Sequence, residues 1–268
     1  MTDIRLALRL LRKEKGFAAV VIFVLALGIG ANTTVFTLVN AVLFRGLPFE
    51  NSERILFVTG SQPGRGRDQV GVSYPDFKDW RDQTKSLEGL AALSGFQANL
   101  SDRHGTPERY NGSYVSANLF PLLGPKPVLG RDFRPADEKP GAPAVALLAY
   151  GVWRDRYGLD PGVVGRSVRI NEVPATIIGV MAEGMKFPFN NDLWMPLIEA
   201  LGPEDRGRHG LMSIGKLPAG GTIEETRTEM NVIAKRLEKE YAKTNQGVGV
   251  VVKPFNDQAN GGEIRVVF

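Results

Sequence analysis

Three carboxylates, Asp76, Asp79 and Asp82, recur at i, i+3 and i+6 in a stretch that also holds Tyr74, Phe77 and Trp80. On a helix this spacing sets successive carboxylates one turn apart, an arrangement able to hold a hard cation. Lys78 and Arg81 are interleaved with them and cancel much of the charge, so no metal site is expected. Arg131 and Asp132, within Gly130-Arg131-Asp132-Phe133, could act as a catalytic pair. No third polar group is in register with them, and an ion pair or turn stabiliser is the expectation. His104 falls in a predicted turn and His209 stands beside Arg208, so both are expected to be solvated. Cysteine is absent, which excludes disulfides, thiol catalysis and thiolate metal sites. Neither a GxSxG elbow nor a GxxxxGK[ST] phosphate loop occurs. The chain is expected to be no enzyme, with no catalytic, cofactor or metal residues of its own.

The element that must organise the rest is residues 17–44, a run of 28 residues without a charge. A bilayer core of roughly 30 Å needs about 20 apolar residues, so the run is predicted to span a membrane with length to spare. It is longer than the apolar core of a signal peptide, and its end, Asn40 to Arg45, lacks a small-x-small cleavage site. Residues 1–16 carry five of the 33 basic residues and only two of the 29 acidic ones. The positive-inside bias therefore places the N-terminus in the cytoplasm and the main domain outside it. The basic balance belongs mainly to this flank and points to lipid rather than nucleic acid.

Arg5, Arg9 and Arg12 share one predicted helical face and Ile4, Leu8 and Leu11 another, the pattern of a helix lying in the headgroup layer. Within the span, Gly28, Asn32 and Asn40 mark a small and polar face. Small residues let membrane helices approach and buried amides bond across the contact, so this is the expected helix–helix surface.

Beyond the span, strands are expected at 54–59, 90–100, 109–115, 144–148, 167–170, 174–180, 211–217 and 248–253. Residues 60–71 and 125–143 read as loops, and 192–197 as a strand held at an edge by Pro196. Helices are predicted after Ser73, over 117–123, over 150–157, and after Thr222, where Glu225 completes a capping box. Strand, helix, strand over 211–253 argues a crossover unit with helices packed on a sheet.

The span motif Leu25-Ala26-Leu27-Gly28-Ile29-Gly30-Ala31-Asn32-Thr33 and Val39-Asn40-Ala41-Val42-Leu43 resemble MacB-type permeases of ATP-binding-cassette systems, notably the large duplicated branch. Gly130-Arg131-Asp132-Phe133, Gly151-Val152-Trp153, Val164-Gly165-Arg166 and Ile178-Gly179-Val180-Met181 match in the same order along the chain. The resemblance implies an α+β fold: a transmembrane helix followed by a porter-like α/β extracytoplasmic domain with an inserted mostly-β subdomain. It implies a cytoplasmic amphipathic helix at 1–16, a transmembrane and stalk helix at 17–44, a porter-like subdomain from 45–115 and 211–256, and an insertion at 116–210. Residues 257–268 would begin a return stalk toward a second span that the sequence does not contain. The implied function is a permease subunit of an export or mechanotransmission system in the inner (plasma) membrane. Its implied partners are a separate cytoplasmic ATPase subunit, other permease helices or a second permease half, and the lipid bilayer. A membrane-anchored extracytoplasmic binding or scaffold module is the alternative.

Overall fold

The computed structural model describes residues 16, 19–20, 22–30, 32–33, 52–102, 105–198 and 205–255. Two compact units separate at Gly46/Leu47. In the first, the described residues are helical, and Val20, Ile22, Phe23, Val24, Leu25, Leu27 and Ile29 are all exposed. Among the described residues no helix is long and apolar enough to cross a membrane. The expected spanning helix at 17–44 lies partly outside the described residues, the expected helix at 1–16 lies outside them except for residue 16, and the segment 257–268 lies wholly outside them.

The second unit holds, in chain order, β1 (Ile55–Gln62), β2 (Arg67–Val70), α1 (Tyr74–Gln83), β3 (Gly89–Asp102), β4 (Gly105–Val115), α2 (Leu119–Leu123), β5 (Pro127–Gly130), β6 (Val145–Leu148), α3 (Tyr150–Tyr157), β7 (Ser167–Ile170), β8 (Val173–Met181), β9 (Leu193–Pro196), β10 (Met212–Lys216), α4 (Ile223–Glu240), α5 (Ala242–Asn245) and β11 (Gly249–Pro254). The strands form one mixed sheet in the order β11-β1-β10-β3-β4-β9-β6-β8-β5, with β2 on β1. β7 pairs with both β3 and β8, so β3, β4, β9, β6, β8 and β7 close into a ring.

β1 lies between β10 and β11 and is antiparallel to each, so β10-α4-β11 is a crossover spanning β1. β1 alternates its side chains between two cores. Leu56 and Val58 meet Phe77 and Trp80 of α1 and Met230, Ile233 and Leu237 of α4. Ile55 and Phe57 face the second core with Phe120, Leu147, Trp194 and Phe255. A strand covered on both faces reads as a continuous apolar run rather than an alternation, as Ile55-Leu56-Phe57-Val58 does. A third core brings Leu100, Leu148, Ile170, Ile177 and Leu193 of the ring strands together with Val152 and Tyr157 of α3.

Local chemistry sets the element ends. Thr222 Oγ1 accepts from the Glu225 N–H at 3.3 Å and Glu225 Oε2 from the Thr222 N–H at 3.2 Å, starting α4. Ser73 Oγ likewise accepts from the Asp76 N–H and starts α1. The β7–β8 turn is Asn171-Glu172 with φ of 48° and 68°, the primed hairpin geometry that Asn tolerates. Asn171 then accepts from Asn99 N at 2.8 Å and donates to Gln97 O at 2.9 Å, stitching the turn to β3.

Three sequence expectations change. Residues 60–71 are not one loop: β1 runs on to Gln62 and β2 returns along it. Residues 125–143 contain β5, which pairs with β8. β9 is central rather than an edge, flanked by β4 and β6. Pro196 is tolerated there because it ends the strand, and Leu197 N donates to Val115 O at 2.8 Å in its place.

Candidate coupling site

The chain runs into the sheet along β1 and out along β11, and these strands are direct neighbours, with Leu56 opposite Pro254 and Phe57 opposite Lys253. Phe255 follows at once and is buried. Its ring lies 6.5 Å from Phe57 and 5.4 Å from Phe187, which stands in the segment between β8 and β9. Three aromatic rings thus join the inbound strand, the outbound strand and the segment between β8 and β9 in one core. Arg54, just before β1, donates to Leu217 O at 2.8 Å and pairs with Glu88, which also meets Lys216 at 3.7 Å. The first residues of β1 are therefore pinned to the end of β10 and the approach to β3.

A second constellation fixes Arg206, in the segment between β9 and β10. Arg206 Nη1 contacts Asp76 Oδ1 at 2.6 Å and Nη2 contacts Asp79 Oδ2 at 2.6 Å, while its Cζ lies 3.6 Å from the Tyr241 ring centroid. Asp76 is buried, and its remaining capacity is met by Ser73 Oγ at 2.7 Å and Asn245 Nδ2 at 2.9 Å. Burial opposes the charge on Arg206, but hydrogen bonds to Asp79 and Asp76 outweigh it and hold the guanidinium above its ordinary pKa. Glu229 of α4 ties down the chain after α1, accepting from Lys85 N at 2.8 Å and from Thr84 Oγ1 and Ser86 N at 2.9 Å. Burial works against its charged form, yet these bonds hold its pKa below the usual carboxylate range.

The aspartate series is therefore split: Asp76 and Asp79 share Arg206, and Asp82 turns to Arg81 at 3.5 Å. Among the described residues no acidic or histidine cluster could hold a metal. Arg131 bypasses the Asp132 carboxylate and pairs with Asp137 at 2.7 Å, donating also to the Asp132 backbone oxygen at 2.9 Å. Asp132 instead accepts from Phe133 N at 2.6 Å. Gly130, before this pair, has φ 78°, and a Cβ there would stand 2.2 Å from Ile178 O. His209 is half-buried rather than fully solvated, with Nδ1 3.2 Å from Gly71 O. Gly28 and Asn32 are helical and exposed, and nothing lies within 4 Å of a Cβ placed on Gly28. Asn40, Arg5, Arg9, Arg12 and His104 lie outside the described residues. Sequence reasoning missed Arg206 and Phe255, whose partners are remote in sequence; the apolar stripe through Tyr241 was the one legible part.

The family model for the MacB-like periplasmic core domain matches residues 18–233. The chain belongs to this family. The match covers β1 through most of α4, including Asp76, Asp79 and Arg206. Two pyoverdine export ATP-binding/permease proteins named PvdT are similar. The one from Pseudomonas savastanoi pv. phaseolicola is 29% identical over 182 residues, and the one from Pseudomonas syringae pv. tomato 30% over 184. Each alignment covers 67% of this chain, which spans only 25% of those relatives. Among solved structures, a domain assigned to a permease protein of Porphyromonas gingivalis aligns with a TM-score of 0.61 at 15% identity, covering 78% of this chain and 92% of that one. The periplasmic region of MacB from Actinobacillus actinomycetemcomitans aligns with a TM-score of 0.55 at 14% identity, covering 76% and 92%. These likenesses carry the fold: the MacB-like mixed α/β architecture is common to all three chains.

Proposed function

We propose that this chain is part of the permease component of an export or mechanotransmission system, in which ATP hydrolysed by a separate cytoplasmic ATPase moves the extracytoplasmic domain. The supporting observation is the pairing of β1 with β11, which brings the inbound and outbound chain together at one end of the domain. Two segments leaving side by side can transmit a shift or rotation to a rigid body, because β1 and β11 share a continuous ladder of hydrogen bonds from Leu56/Pro254 to Ser61/Gly249. The exposed apolar helix at residues 22–30 supports a membrane anchor. On this reading Gly28, Asn32 and Asn40 face other permease helices or a second permease half, while Arg5, Arg9 and Arg12 face the inner, cytoplasmic headgroups. Residues 45–115 with 211–256 act as the porter-like subdomain, and 116–210 as the insertion it carries.

The absence of native cysteine makes a direct test simple. A fluorophore on Glu172→Cys, in the exposed β7–β8 turn, is read by energy transfer against labelled headgroups in proteoliposomes that contain the ATPase. ATP is expected to change the transfer. Constant transfer during active hydrolysis would overturn the proposal.

A further inference from the structure

A pocket of about 270 Å³ lies between the 3-10 turn Pro63–Arg65, which joins β1 to β2, and α5 with the residues that follow it. It sits at the far end of β1 from the Leu56/Pro254 pair, where Ser61 pairs with Gly249. Both walls are held by the fold. Gly66 N–H donates to Pro63 O at 3.0 Å across the turn, Asn245 of α5 donates to the buried Asp76 at 2.9 Å, and Gly247 N–H donates to Glu238 Oε1 at 2.7 Å. A site fixed in advance spares a ligand the cost of ordering it.

Gln62 points to a ligand. It lines the pocket although only 8% exposed, and its carboxamide makes no hydrogen bond among the described residues. A buried amide left without partners is costly, so its two donors and its acceptor call for a polar group in the pocket. One cation stands on each wall, Arg65 on the turn and Lys243 on α5, and neither makes an ion pair among the described residues. No carboxylate among the described residues lines the pocket, and the adjacent Glu238 is engaged by Gly247 N–H. Gln246 adds a second carboxamide. Thr244 commits its proton to Asn245 Oδ1 at 2.7 Å or Tyr241 O at 3.2 Å, so its hydroxyl oxygen is an acceptor. The lining holds no hydrophobic residue among the described ones, which disfavours an apolar ligand body. Two cations with amides and a hydroxyl fit an anion whose body carries hydroxyl groups. The volume lies below the roughly 300–1,000 Å³ of drug-sized sites, so that anion is small.

We propose that this pocket binds a hydroxylated carboxylate of monosaccharide size, its carboxylate between Arg65 and Lys243 and its hydroxyls on Gln62, Thr244 and Gln246. Such a ligand touches both walls at once, so its binding also ties the β1–β2 turn to α5. The site is independent of the proposed coupling role, and its test needs neither the ATPase nor a membrane.

The test is a titration of the full chain in non-ionic detergent micelles, followed by ligand-detected NMR, with three probes: glucuronate, glucose, which lacks the charge, and tetrahydropyran-2-carboxylate, which keeps ring and charge but lacks the hydroxyls. Glucuronate is expected to bind about tenfold more tightly than glucose, an advantage that shrinks as salt is added. It is expected to bind about fivefold more tightly than the unhydroxylated acid, the contribution of about one good hydrogen bond. Arg65→Gln and Lys243→Gln, both at exposed positions whose change spares the fold, are each expected to weaken glucuronate binding about threefold. Gln62→Met, which keeps the length of the side chain without its amide, is expected to weaken it about fivefold. No saturable binding of glucuronate would show that water alone meets the Gln62 carboxamide and would overturn the proposal. Equal affinity for glucose or for the unhydroxylated acid, or affinity unchanged in Arg65→Gln and Lys243→Gln, would overturn it as well.

Discussion

The guanidinium of Arg206 lies against the face of Tyr241, its Cζ 3.6 Å from the ring centroid, while its two terminal nitrogens divide between Asp76 and Asp79. One side chain thereby joins the segment between β9 and β10 to α1 and to the end of α4.

Arg206→Ala is expected to cost about 3–5 kcal/mol, because it leaves the buried Asp76 without its cation. Arg206→Lys keeps the charge but loses the planar fork, and is expected to fall between the variant and wild type. Urea denaturation measures both. A loss in Arg206→Ala below about 1 kcal/mol would show that the contact does not fix the segment.

Phe255→Ala removes the ring shared by Phe57 and Phe187 and is expected to cost about 3 kcal/mol. Phe255→Leu, which keeps most of the volume, is expected to cost less than half of that. Equal losses in the two variants would contradict packing as the cause.

Two glycines with positive φ separate backbone strain from crowding. Gly124 has φ 102° and open space around it, so Gly124→Ala is expected to cost about 1 kcal/mol. Gly130 adds a Cβ only 2.2 Å from Ile178 O, so Gly130→Ala is expected to cost about 3 kcal/mol or more. The order of the two melting temperatures decides the point.

Burial pushes the Asp132 carboxyl up to about 6, against the Phe133 N–H and the Arg131 charge, which favour ionisation. Between the ordinary value of 3.8 and about 6, the folded chain holds a proton that the unfolded chain has released. Stability contributed by this group is therefore present at low pH and lost as pH rises through that window. Asp132→Asn keeps an acceptor for Phe133 N and is expected to remove this part of the slope, measured as melting temperature against pH. An unchanged slope would reassign it to another group.

On the proposed helix contact, Asn32→Leu would replace an interhelical amide bond by a group that packs equally well against lipid, and co-purification with partner helices is expected to weaken by about 1 kcal/mol. Undiminished association would remove Asn32 from the contact.

Much of the fold could be read because its signals are local. The Thr222–Glu225 box, Ser73 before α1 and the Asn171-Glu172 turn act within three residues of themselves. The missing N–H of Pro196 argues for an edge strand, yet Leu193–Pro196 is central because Pro196 takes the last rung, beside Val115, a position that only the pairing reveals. Arg206 and Asp76 stand 130 residues apart, and no periodicity connects them. The apparent Arg131–Asp132 pair shows the converse: neighbours in sequence were separated because Asp137 reaches the guanidinium in better geometry. The closure of the strand ring through β7 is likewise invisible in the sequence, since it rests on Leu100 and Ser101 of β3 pairing with Ile170 and Arg169 about 70 residues away, with Asn171 adding bonds to Asn99 and Gln97.

Because Leu56 and Pro254 are opposite one another, the start of the first strand and the end of the last lie about 5 Å apart, one strand spacing. A folded unit whose two ends meet at one strand spacing is a cassette: it fits into a short loop of another chain with little change to the separation of the residues on either side.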